Sequence, residues 1–322
     1  MKEKDFEAKH TQEWIRYNQV MDALEAGKAN SVDTAEVPKL VRARCSDLSL
    51  ARYRMYGSRM SEYLNDQVVR GHKVISHADS GFREKIIHFF KAGFPQAMRK
   101  EWRLFIVCTL FFVIPLLGIW MSYQFNPEWT YSLLNQEARE ALDQSYGKTG
   151  NLSDYRDMQG SNFFMFGHYI RNNIGIDLIT VAGGALAGIG SLYILVFNGL
   201  QMGAALTYVQ HEGDPEKLYT FVSGHAPYEL LGMVVAGMAG MRIGLAIIKP
   251  GRMSRGRALL ESGKSGLPLI VGACLLTFLA AIIEGFWSAE NFPAQLKYNV
   301  GFAGWGLLLI YFVFAGRGKR AA

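Results

Sequence analysis

His225 and Glu229 stand four residues apart in the segment HAPYE, so a helix that begins early enough places an imidazole and a carboxylate on one face. Joined by the carboxylate of Glu284, in AIIEGF, or by the imidazole of His168, they supply the donor types of a metal site. Such a site needs three or four donors to converge, which spacing along a chain does not establish. The pair also has an ordinary explanation. Pro227 suits the first turn of a helix, and a glutamate there faces the positive end of the helix dipole. The sequence holds no HExxH, GxSxG, P-loop or dinucleotide-type GxGxxG. No cofactor is therefore expected, and no recognisable set of soluble-enzyme catalytic residues. Cys45, Cys108 and Cys274 lack CxxC spacing, and the last two sit in apolar stretches, so neither a thiolate zinc site nor a disulfide framework is indicated.

What makes these polar residues informative is the apolar chain around them. Glu284, Arg242, Asp177 and Glu229 lie in or beside hydrophobic spans, where an ionisable group is costly and a functional candidate by default. Leu104 to Tyr123 is twenty residues without a charge, about 30 Å as a helix and enough to cross hydrocarbon. Leu267 to Ser288, Val300 to Ala315 and Tyr228 to Ile248 read the same way. Ile174 to Val209 is too long for one crossing and carries only Asp177; it reads as a hairpin broken at Asn198-Gly199, with a short, possibly re-entrant second arm from Leu200 to His211.

Charge orients the spans. The segment Lys249 to Lys264 holds five bases and one acid, residues 1–103 hold 19 bases and 14 acids, and the tail after Ala315 is basic. Residues 124–161 hold six acids and three bases. An excess of Lys and Arg marks the cytoplasmic side, so both termini are expected there, with six spans and an outer loop at 124–165. The net charge of +6 has the same source, and no nucleic-acid partner is inferred from it.

Residues 1–80 read as a cytoplasmic helical domain. Phe6, His10, Trp14, Tyr17, Met21 and Leu24 form one helical stripe; Leu40, Val41, Leu48, Ala51 and Met55 form a second; Tyr63, Val68, His72 and Ile75 form a third. Residues 81–103 follow as an amphipathic helix at the inner leaflet, with Phe82, Ile86, Phe89, Phe90 and Phe94 among Lys85, Lys91 and Arg99. In the bundle at 104–322, small residues recur every fourth position at Gly184 and Gly188, Gly199 and Gly203, and Gly232, Ala236, Gly240 and Gly244. They suit close helix packing within one chain or across a homodimer.

HYIRNNI at 168–174, AGG at 182–184, GIGS at 188–191, NG at 198–199, HAPYE at 225–229, PGR at 250–252 and IEGF at 283–286 together resemble the stage II sporulation protein M (SpoIIM) family. The family's His-Gly-x-x-Glu carries Ala226 at its second position here, and RGH at 70–72 is similar to the long, non-sporulating forms. The resemblance implies an all-α membrane bundle. It also implies envelope partners, since the founding member acts with peptidoglycan-degrading proteins and the long forms tend to be encoded near a MoxR-type ATPase and RDD-type membrane proteins. With Asn172 and Asn173 included, the candidate polar membrane residues are Asn172, Asn173, Asn198, His225, Glu229, Arg242 and Glu284. The leading expectation is a non-enzymatic membrane scaffold for an envelope complex, docking partners through residues 1–103. The alternative is a transporter or channel with its polar site near the broken hairpin. A third reading, an intramembrane metal-dependent hydrolase, rests on convergence of His225, Glu229 and Glu284.

Overall fold

In the computed structural model, which describes residues 2–26, 32–33, 35–78, 82–152, 154 and 160–317, the described residues are helical throughout and form no named strand. They divide into two compact units, Met1–Ile87 and His88–Ala322. The first is built from α1 (Glu3–Glu25), α2 (Val37–Tyr53) and α3 (Ser58–Ala78). The first expected stripe meets most of the second in its core: Phe6, Trp14, Tyr17 and Met21 of α1 pack with Val37, Val41, Leu48 and Ala51 of α2 and with Met60 and Leu64 of α3. Met55 of the second stripe is exposed instead, and so are Tyr63 and His72 of the third, because the buried face of α3 runs through Met60, Leu64 and Gln67. A polar knot joins α1 to α2. Arg44, 1% exposed, lies 3.2 Å from both Glu13 and Asp47, and the Trp14 indole donates to Asp47 at 3.0 Å. The His10 ring, then Arg44, holds the Glu13 carboxyl below the usual carboxylate range.

The second unit opens with the last residue of α4 (Phe82–His88), a π-turn at Phe89–Gly93 and α5 (Phe94–Lys100). Ile86, Ile87 and Phe90 are exposed, in keeping with an interfacial helix, but Phe94, Pro95 and Met98 are buried. The Phe94 ring fills the space left by the missing side chain of Gly272, so this half of the segment belongs to the bundle and not to the lipid surface. Arg99 donates to the carbonyls of Phe312 at 2.6 Å and Ala315 at 2.7 Å, capping the last helix of the chain. The entry to the first span and the exit from the last therefore lie at the same end of the bundle.

Five helices are long and apolar enough to cross a membrane: α6 (Trp102–Ser122), α11 (Ile189–Glu212), α13 (Ala226–Ile248), α14 (Arg255–Ile283) with its π-turn extension to Ser288, and α15 (Ala294–Phe314). Between α6 and α11 lie α7 (Glu128–Leu133), α8 (Gln136–Tyr146), α9 (Asn162–Tyr169) and α10 (Gly175–Ala182); α12 (Pro215–Ser223) precedes α13. Helices α9 and α10, joined by a π-turn at Ile170–Ile174, lie along the bundle beside these five. The start of this segment lies against Gly285 through Phe166, and its finish against α13 where Gly184 meets Gly240.

The hairpin is real, but its break is elsewhere. α11 runs unbroken through Asn198-Gly199, so the arm from Leu200 to His211 is neither short nor re-entrant. Asn198 donates back to the Ile194 carbonyl at 2.8 Å, one turn earlier. In hydrocarbon every backbone group must find a partner, so a single interior Asn-Gly, costing about 1 kcal/mol, does not end a helix. The chain turns instead at residues 183–188, where Ala187 (φ 56°) and Gly188 (φ 86°) take left-handed conformations.

α13 is the axis of the bundle. Of its apolar core window 61% is buried, against 11% for α6. Its small residues face neighbouring backbones: Gly240 meets Gly184, Gly244 meets Gly188, and Gly232 meets Thr277. Gly199 and Gly203 meet the carbonyls of Phe112 and Leu116 on α6 in the same way. The stripes are consumed inside one chain and give no support to a homodimer. A Cβ on Gly184 would fall on the Gly240 carbonyl, so Gly184→Ala is expected to cost about 1–3 kcal/mol. This should lower the thermal midpoint of the detergent-solubilised protein, while Gly118→Ala, which meets nothing within 4 Å, should leave it unchanged.

Candidate functional site

The start of α13 sets the site. The Glu229 amide donates to the His225 carbonyl in the first helical hydrogen bond, so residues 225 and 229 do share a face. The imidazole Nε2 lies 3.8 Å from the Glu229 carboxylate. From α14, Glu284 completes the group: one donor atom each of His225, Glu229 and Glu284 lie within 4.8 Å of one another. Glu284 and Ser288 are the first and last residues of the π-turn that ends α14, a local widening that recurs at functional sites. Ser288 Oγ is 2.9 Å from His225 Nδ1, and its backbone carbonyl accepts from Lys297 Nζ, in the first turn of α15, at 2.8 Å.

The polar column extends inward. Thr277 of α14 donates to Asp177 of α10 at 2.6 Å, at the level of Gly232, about one turn deeper than Glu229. Asp177 is 1% exposed. Its depth corrects its expected place at the outer start of a span: the helical segment begins at Asn162, not Ile174, and so carries Asp177 into the bundle. Three carboxyls from three helices thus share a water-poor region, where each must be paired with a donor, a proton or a cation. Phe221 covers the His225 ring edge-on at 5.3 Å, and Phe166 packs on Phe278 and Phe286 beside it.

The other candidates lie elsewhere. Arg242 is near the opposite end of α13, where it pairs with Glu101 before α6 and donates to Ser265 of α14 at 2.9 Å, so it latches three helices. Asn198 is spent on its own helix. Asn172 donates to Asn173 at 2.8 Å within the second π-turn, which packs against α14; only Asn173 is buried. His168 is exposed and takes no part. Ser288, Thr277 and Lys297 went unremarked in the sequence, although Ser288 follows Glu284 by four residues and Thr277 precedes it by seven, both on one helical face.

The site lies inside the region that relates this chain to known proteins. Residues 107–289 match the family described as stage II sporulation protein M. The chain belongs to the SpoIIM family. The SpoIIM match takes in every residue of the column except Lys297. Residues 4–77, the first compact unit, match a different family, described as a domain of unknown function (DUF8413). An uncharacterized protein of Methanocaldococcus jannaschii is 27% identical over 141 residues, covering 42% of this chain and 79% of that relative. No solved structure matches the chain.

The hydroxyl of Thr277 is the donor that satisfies Asp177. Thr277→Val is expected to cost about 1–3 kcal/mol and Thr277→Ser almost nothing, because only the first leaves a buried carboxyl without that donor. Equal thermal midpoints for the two variants would show that Asp177 does not depend on this hydroxyl.

Proposed function

We propose that this SpoIIM-family chain is a carrier of the cytoplasmic membrane that binds a small cation in its column of buried carboxyls and passes it across. The observation that carries the reading is the convergence of His225, Glu229 and Glu284 at a π-turn within the bundle, with Asp177 one turn deeper. Ionisable groups at membrane depth that meet at interrupted helices are the hallmark of substrate sites in carriers. The excess of carboxyls selects for positive charge. Below Thr277 and Gly232 the axis helix is packed through Gly240 and Gly244 against the 183–188 turn, which favours a carrier that rearranges over an open pore. The charge asymmetry of the loops supports both termini on the cytoplasmic side, with the column opening toward the outside.

In vesicles containing the purified protein, an imposed potential should drive uptake of protons or divalent cations above that of empty vesicles. Glu229→Gln and Glu284→Gln should reduce that uptake at least tenfold while leaving the gel-filtration profile intact. Wild-type rates in both variants would remove the carrier reading.

A second reading, a membrane scaffold, is favoured by one observation of its own. Residues 1–87 form a separate helical unit with its own core, matched to its own family, as an appended docking module would be. It exposes Tyr53 (85%), the last residue of α2, and Met55 (91%), two positions on, residue types that anchor interfaces. On this reading, deleting residues 1–80 removes co-purifying partners, a MoxR-type ATPase or RDD-type membrane protein by family resemblance, and leaves insertion into the membrane unchanged. An unaltered pull-down would exclude it.

A further inference from the structure

We infer that His225, Glu229 and Glu284 bind a divalent first-row transition-metal ion, of the zinc or manganese class, at the outer end of the column; this names the cation for the site on which the carrier reading rests.

Three features lead there. The first is spacing. At 3.8 Å, His225 Nε2 and the Glu229 carboxylate are too far apart for a hydrogen bond. Two ligands with bonds of about 2 Å to one ion stand roughly 3.3 Å apart, so His225 and Glu229 need to close by about 0.5 Å, and Glu284, whose donor lies within 4.8 Å of theirs, by at most about 1.5 Å. The second is orientation. A histidine that ligates a metal through one nitrogen holds its other nitrogen on a fixed partner. Here Nδ1 is held by Ser288 Oγ at 2.9 Å, and Ser288 is itself pinned by Lys297 through its carbonyl, leaving Nε2 turned toward the carboxylates.

The third feature is donor chemistry. An imidazole beside carboxylates suits zinc, manganese or iron, whereas calcium takes six to eight oxygens and magnesium keeps an octahedron of oxygens and water. With three protein donors, one position is left for water or an exchanging ligand, as a transported ion requires.

The test uses the purified full chain in detergent, stripped with chelator and equilibrated separately with zinc, manganese, calcium or magnesium chloride. After desalting, elemental analysis should find about one zinc or manganese per chain and no stoichiometric calcium or magnesium. Glu284→Gln and His225→Asn should weaken binding at least tenfold by calorimetry. Ser288→Ala, which removes no ligand, should weaken it about 10- to 100-fold by freeing the ring. Cobalt loading of the wild type gives a readout that needs no variant: visible absorption bands of a nitrogen- and oxygen-ligated ion, displaced by equimolar zinc.

Absence of stoichiometric metal and of cobalt bands would overturn the inference, as would unchanged affinity in both ligand variants. If metal does not bind while Glu229→Gln still abolishes proton uptake in vesicles, this inference fails and the carrier reading stands with the proton as its cation. If metal binds but no vesicle takes up cations, the site stands and the carrier reading fails.

Discussion

Helices in hydrocarbon gain little from burying apolar side chains against one another, because lipid tails are as apolar as leucine. The bundle depends instead on how closely backbones approach α13, and that is set by glycines. Gly232, Gly240 and Gly244 leave room for Thr277, Gly184 and the turn at Gly188, drawing α14, α10 and the start of α11 onto one axis. Only because α10 and α14 are drawn in this far can Asp177 reach Thr277, and Glu284 reach His225 and Glu229. A side chain at any of these glycines would separate the helices that supply the carboxyls.

The two ends of α13 do different work. At one end, Arg242 pairs with Glu101 and Ser265, and nearby Arg99 caps the last helix, so the basic end is tied by charged and polar bonds between helices. At the other, the helix starts with His225 and Pro227 and meets a π-turn on α14, so the acidic end is built from local irregularities. Such widenings displace part of the regular ladder of hydrogen bonds and turn side chains that a straight helix would face outward. They occur on both helical segments that flank the column, at Ile170–Ile174 and Glu284–Ser288.

The membrane bundle was legible in the sequence because length and apolarity are properties of a window, and so was the stripe on α1; on α3 the aromatic Tyr63 drew the stripe onto the wrong face, since Met60 and Leu64 are buried and Tyr63 is exposed. The position of the hairpin turn was not legible. Asn198-Gly199 looks like a break on propensity alone, whereas the true turn follows Gly183-Gly184 in a run of equally small residues. In water the two positions would compete on nearly equal terms; in lipid the cost of freeing backbone groups keeps α11 intact, and the choice passes to packing against α13, which no local pattern encodes. With the turn at residues 183–188, the helical segment before it starts at Asn162 instead of Ile174, which carries Asp177 from near the start of that segment into the bundle interior. Convergence of His225, Glu229 and Glu284 was likewise beyond spacing, since it needs two helices in register. The i, i+4 signal did find the pair correctly. Arg242 misled because charge in a span was weighed without its depth along the helix.

Depth also bears on how such a site could work. The three carboxyls, His225 and Ser288 lie in the half of the bundle where helices begin or loosen, while the opposite half is closed by glycine contacts and the Arg242 latch. On the carrier reading, a cation entering from the acidic end would meet Glu229 and Glu284 first and Asp177 about one turn deeper, between α10, α13 and α14. To leave at the basic end it would have to separate α13 from the 183–188 turn, where Gly240 and Gly244 carry no side chain to interlock and the barrier is one of backbone contact alone. On that reading, α13 is the element that would link occupancy at one end to packing at the other, since it contacts the carboxyls at its start and the 183–188 turn near its finish.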